Sequence, residues 1–238
     1  MMIRSIDYGT KTIEYSVEFR ERKSLEISVE APNIVSVVAP LNTPEEIIEQ
    51  KVKKKAQWIV QKLFLFKDME FQKINRELVN GESFMYMGRN YSLQLIIDES
   101  IKEPAVKLYQ GKFLITTPTK SQELLRTSLE KWYREKTLEK VSEKVSYFQH
   151  FFKKKPNDIK VKEQQKRWAS CTSKNELLFN WRCAMAPSHV IDYIVVHEMC
   201  HMYHMNHSQE FWDLLSSVMP DYERRKEWLK NFGVRMDL

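Results

Sequence analysis

The sequence predicts an α+β protein: an antiparallel, strand-rich N-terminal part over residues 1–118 with one helix at about 43–66, then a small helical, metal-binding domain over 119–238. Three observations carry this. Apolar residues alternate with polar ones in the first third, a helical period takes over after Thr119, and His197-Glu198-Met199-Cys200-His201 falls within an apolar helical stretch.

Ile13, Tyr15, Val17 and Phe19 recur every second residue, as do Leu25, Ile27 and Val29, and the Ala31-Pro32-Asn33 turn leads into Ile34 to Val38. Period two marks half-buried strands. Thr43-Pro44-Glu45-Glu46 then offers a hydroxyl cap, a proline at the first helical position and a glutamate reaching back. The stripe Ile48, Val52, Ala56, Ile59, Leu63, Phe66 continues that helix. A second strand group follows at Phe84 to Met87, Tyr91 to Ile97, Val106 to Leu108 and Phe113 to Ile115, separated by Asn80-Gly81, Gly88 and Gln110-Gly111.

Thr119-x-x-Gln122 reads as a second capping box, opening a long helix to about Phe152 with Leu125, Leu129, Trp132, Val141, Val145 and Phe148 on one side. Short strands are expected at Ile159 to Val161 and Leu177 to Trp181. Pro187 then starts a helix whose run Val190 to Val196 is apolar nearly all round, which marks it as central and buried. No internal sequence repeat is visible.

Composition narrows the chemistry. Five glycines in 238 residues, none at the spacing of a dinucleotide fingerprint or phosphate loop, disfavour folds built on such loops. No apolar run approaches the roughly 18 residues needed to span a bilayer, and the first residues carry no apolar core of a leader, so a cytoplasmic protein without a membrane partner is expected. Three cysteines, Cys171, Cys183 and Cys200, without C-x-x-C spacing argue against a disulfide framework or thiolate cluster. The net charge of +6 divides into +1 over residues 1–119, +8 over 120–182 and −3 over 183–238.

The H-E-x-x-H motif carries the chemistry. Residues four apart stack on one helix face, so His197 and His201 can address one cation. Glu198 stands about 100° round the helix, placed to take a proton from water polarised by that ion. A site that keeps one position open needs a third ligand. His207 leads, since a chain leaving the helix near Tyr203 and turning at Asn206 can bring it back over the metal. His204, Glu210 and Glu223 are the other candidates. An extended H-E-x-x-H-x-x-G-x-x-H pattern is not met, because His204 occupies the glycine position.

Arg167-Trp168-Ala169-Ser170-Cys171, Asn180-Trp181-Arg182, Val190 to Glu198, Asn206-His207-Ser208 and Phe211-Trp212 together resemble the YgjP-like metallopeptidases, zincin-like metal-dependent hydrolases related in pattern to SprT-type proteins. Lys55 to Trp58 and Gly88-Arg89-Asn90-Tyr91 extend the resemblance upstream. It implies a zinc site of His197, His201 and His207 with Glu198 as the catalytic residue. The family usually has Gly where this chain has Ala169.

One Zn²⁺, or another divalent metal, is the expected cofactor. Arg167, Ser170 and Arg182 are candidate substrate-binding residues, the two arginines as stabilisers of a developing anion; the alternative is a structural strand with Trp168 and Trp181 in the core. Hydrolysis of a peptide is the leading reading. A nucleoside triphosphate pyrophosphatase is the alternative, resting on Lys166, Arg167, Lys174 and Arg182 and on an activity associated with the family. A metal-stabilised module that binds nucleic acid or a partner is a third, less favoured reading.

Overall fold

In the computed structural model of the chain, which describes residues 2–9, 11–30, 34–67, 76–164 and 167–238, contacts divide the protein into Met1–Lys73 and Ile74–Leu238. The Ala31-Pro32-Asn33 turn, the Phe66 side chain and Lys166 lie outside the described residues.

In the N-terminal unit, strands β1 (Met2–Tyr8), β2 (Lys11–Arg20), β3 (Glu26–Glu30) and β4 (Ile34–Pro40) form one sheet in the order β1-β2-β4-β3. Its buried face is the alternating set Ile13, Tyr15, Val17, Val35, Val37 and Ala39, closed by Ile48 and Val52 of α1 (Glu45–Lys54) and Ala56 and Ile59 of α2 (Ala56–Lys67). The sheet is mixed rather than antiparallel. β2 pairs in parallel with β4, whereas β1–β2 and β3–β4 are antiparallel. Alternation specifies which face is buried and is silent on strand direction.

The single helix expected at 43–66 is two. Lys55 (φ −100°, ψ 2°) separates them, its N–H shared between the carbonyls of Lys51 and Val52. The first begins one residue later than the motif implies: Pro44 occupies the cap position, and the Thr43 hydroxyl donates to the Pro40 carbonyl at 2.8 Å.

In the C-terminal unit, β5 (Ser83–Tyr86), β6 (Arg89–Ile97), β7 (Ala105–Tyr109) and β8 (Lys112–Thr117) repeat the first arrangement, in the order β5-β6-β8-β7 with β6 and β8 parallel. Two sheets of the same connectivity thus stand where the sequence shows no repeat. Helix α3 (Gln122–Phe148) crosses the second sheet, and Leu125, Leu129, Trp132 and Tyr133 share one core with Phe84, Leu93, Phe113 and Ile115. This shared core is why contacts divide the chain at 73/74 and not at the 118/119 boundary expected from the change of secondary structure. Ser121, not Thr119, caps α3, accepting from the Leu124 N–H, while the Gln122 amide receives the Leu78 N–H at 2.8 Å.

A third sheet, β10-β11-β9, is built from β9 (Asp158–Lys162), β10 (Ala169–Cys171) and β11 (Glu176–Asn180), with β10 at its edge. Helices α4 (Ser188–His201), α5 (Gln209–Val218) and α6 (Tyr222–Phe232) complete the unit. Among the described residues no helix is long and apolar enough to cross a membrane.

Candidate metal centre

Helix α4 is buried nearly all round, as its sequence requires: Val190, Ile191, Ile194, Val195, Val196 and Met199 are each at most 3 % exposed. Two polar devices fix it. Asp192 meets Lys144 of α3 at 2.9 Å and Arg225 of α6 at 3.5 Å. Ahead of the helix, the N–H groups of Met87 and Gly88, at the β5–β6 turn, donate to the carbonyls of Ala184 and Met185 at 2.8 and 2.9 Å. Gly88 has φ +76°, and a Cβ there would lie 2.6 Å from the Pro187 side chain, so only glycine lets the turn approach.

The last turn of α4 presents His197 and His201 on one face, and the chain folds back so that His207 joins them. One ring nitrogen from each lies within 4.8 Å of the others, and the Nε2 atoms of His197 and His207 are 3.0 Å apart. His201 Nδ1 donates to the His204 carbonyl at 2.9 Å, which leaves its Nε2 with a lone pair facing the cluster. The Tyr193 hydroxyl lies 3.5 Å from His197 Nδ1. His207 is held differently: its ring stacks on Trp212 (5.4 Å, 23°), which stacks in turn on Tyr222 of α6 (5.5 Å, 22°). Phe211 floors all three imidazoles at centroid distances of 4.7–4.9 Å.

His204, Glu210 and Glu223, the other candidate ligands, are not in this group. Asn206 does not adopt the left-handed conformation at this turn; among the described residues positive φ lies elsewhere, and Ser208 holds the position ahead of α5 without a side-chain capping bond.

Burial sets the protonation states. It pushes His197 down to about 3, with His201, His207 and Lys226 adding like-charge repulsion, and it lowers His207 in the same way. Both imidazoles are therefore neutral near pH 7, as ligands must be. Burial pushes Glu198 up to about 8, while the Arg167 guanidinium pulls it back. Glu198 is 5 % exposed, and its Oε2 has no hydrogen-bond partner among the described residues. An orphaned carboxylate oxygen beside three convergent imidazoles fits a divalent ion of borderline softness with water beside it. Cys171 and Cys200 are pushed up to about 11 and 12, mainly by burial, so neither is a thiolate near neutral pH.

Of the expected substrate-binding residues, Arg167 alone faces the site. Its guanidinium acts on Glu198 and makes no hydrogen bond or ion pair among the described residues. Arg182 is committed elsewhere: it donates to Asp237 at 2.9 Å and Glu163 at 2.8 Å and lies over the Trp181 ring. Ser170 is the half-buried middle residue of β10. Successive strand residues point to opposite sides, and its neighbour Cys171 is the residue that feels the Glu198 charge. Ala169 lies in extended backbone with no positive φ, so its departure from glycine brings no strain there. Sequence reasoning missed Lys226, whose Nζ sits 4.3 Å over Trp212; nothing local marks it, since it arrives on α6.

A helix bearing two histidines and a buried glutamate, completed by a third histidine from the following turn, defines a metallopeptidase-type, metal-dependent hydrolase. Residues 23–232 match the family model described as YgjP-like, metallopeptidase domain, and the chain belongs to the YgjP-like family. Among solved structures it is similar to the metallopeptidase zymogen abylysin of Pyrococcus abyssi, with 20 % identity and a TM-score of 0.33 over 37 % of this chain and 86 % of that one. No curated protein sequence matches it significantly.

Proposed function

We propose that the protein is a zinc-dependent hydrolase of the peptidase type, with Glu198 as general base. The observation that carries this is the convergence of His197, His201 and His207 at the helix that also bears Glu198, whose Oε2 has no hydrogen-bond partner among the described residues. The three imidazoles would hold the ion, which when bound supplies Lewis acidity, lowering the pKa of water and polarising a carbonyl.

The chain's own groups account for the remaining steps. The His204 carbonyl and the Tyr193 hydroxyl fix the outer nitrogens of two ligands, and the Trp212–Tyr222 stack fixes the third. Glu198 accepts a proton from the attacking water and passes it to the leaving amine as the C–N bond breaks. Burial raises its pKa to about 8 in the metal-free protein, and a cation held by the three imidazoles would lower it again, favouring the carboxylate that takes the proton. Arg167 stands where it can steady negative charge next to Glu198. An extended peptide suits β10, which lies at the edge of its sheet beside α4.

The test is metal content and turnover in paired variants. Glu198→Gln is expected to keep one equivalent of zinc and lose peptide hydrolysis by at least about a hundred-fold. His207→Ala is expected to lose most of its zinc. Full turnover in the first or full zinc content in the second would overturn the assignment.

A further inference from the structure

Cations around α4 fall into two groups. Lys144 and Arg225 pair with Asp192, and Arg182 pairs with Glu163 and Asp237. Three others, Lys226, Lys154 and Arg167, have no carboxylate partner among the described residues.

Lys226 of α6 lies 4.3 Å over Trp212, the ring that stacks on His207. Lys154, in the segment after α3, donates to the Met202 carbonyl at 2.6 Å and lies 4.7 Å over the Tyr203 ring, one and two residues past His201. Arg167 leads into β10 and makes no ion pair. The charge felt by His197 and His207 from outside the triad comes from Lys226, that felt by Glu198 from Arg167, and Cys171 feels Lys154.

We infer that the site takes polypeptides carrying acidic side chains near the scissile bond, with Lys226, Lys154 and Arg167 as the residues that select them. This rests on the peptidase reading above. Unpaired cations held by carbonyl, aromatic and backbone neighbours, with no acid to neutralise them, leave a positive field open to a ligand. A bound zinc ion would add to it. A basic flank would meet like charge on every side, so rejection contributes to selectivity as much as attraction does.

The experiment uses the zinc-loaded full chain and three quenched-fluorescence peptides that share one cleavable centre, with flanks of Glu, Gln or Lys. kcat/KM is expected to fall about ten-fold from Glu to Gln and again from Gln to Lys, and the spread to shrink as salt is raised. Lys226→Glu is expected to flatten or invert the order while keeping zinc content. Equal cleavage of the three peptides, or an order that Lys226→Glu leaves untouched, overturns the inference.

Binding of the same peptides to zinc-loaded Glu198→Gln, read by fluorescence anisotropy, separates this inference from the reading it rests on. Acid-selective binding without cleavage by the wild type would remove the peptidase assignment and keep the selectivity. Binding without preference would remove the selectivity. Hydrolysis of a nucleoside triphosphate in place of every peptide would overturn both.

Discussion

Glu198 is where residue-scale physics is most exposed. Buried, with no hydrogen-bond partner for its Oε2 among the described residues, the carboxyl keeps its proton to about pH 8, whereas in the unfolded chain it releases it near 4.5. Between those values the folded metal-free protein binds more protons than the unfolded one, so this residue makes stability fall as pH rises through the window. The slope for one proton is about 1.4 kcal/mol per pH unit. Glu198→Gln is expected to flatten that decline in urea melts of zinc-free protein at pH 5.5 to 7.5; an unchanged slope would place the shifted proton elsewhere. At this scale much was legible from sequence. The placing of His197 and His201 on one helix face follows from a four-residue spacing, and the approach of His207 to them from a short return of chain. The engagement of Arg182 did not follow, because which acid claims a guanidinium is settled by distant partners such as Asp237. Lys226 and Trp212 reach the site through the docking of α5 and α6, which leaves no local pattern.

Among the elements, the β5–β6 turn has the most specific demand. It gives two N–H groups to the segment just before α4, at a glycine with positive φ against Pro187. Gly88→Ala is expected to destabilise the protein by about 1–3 kcal/mol, from the backbone conformation and the forced shift at Pro187. It should also weaken zinc binding, since the start of α4 moves. Thermal denaturation with and without zinc checks both; a wild-type melting temperature would show that the turn relaxes without cost. The elements that sequence placed well are those with long periodic patterns, namely β2, β6, α3 and α4. β1 was not foreseen, since Ile6 is its one described core residue and a single apolar position makes no period. Both capping boxes were displaced for a shared reason. The side chains of Thr43 and Gln122 found better partners in Pro40 and Leu78, and capping competes with such bonds.

Taken whole, the chain has two cores, one of Ile13, Val37, Val52 and Ile59 and their neighbours, the other running from Phe84 through α3 to α4 and α5. The histidine cluster and every residue assigned to it belong to the second. Residues 74–238 alone are therefore expected to melt cooperatively and to bind one zinc ion with the affinity of the full chain, measured by calorimetry against a competing chelator. Loss of binding in that fragment would assign the N-terminal unit a part in forming the site. The division at 73/74 was hidden from sequence because composition changes where strands give way to helices, while a core is defined by what those strands cover. The shared strand order has a kinetic consequence. In each sheet two antiparallel pairs join strands consecutive in the chain, and the one remaining pairing joins residues twenty apart, Ser16 with Ser36 in the first and Ser92 with Lys112 in the second. The entropy of closing such a loop grows only with the logarithm of its length. The chain thus meets the same small search twice, each time among strands close together in sequence.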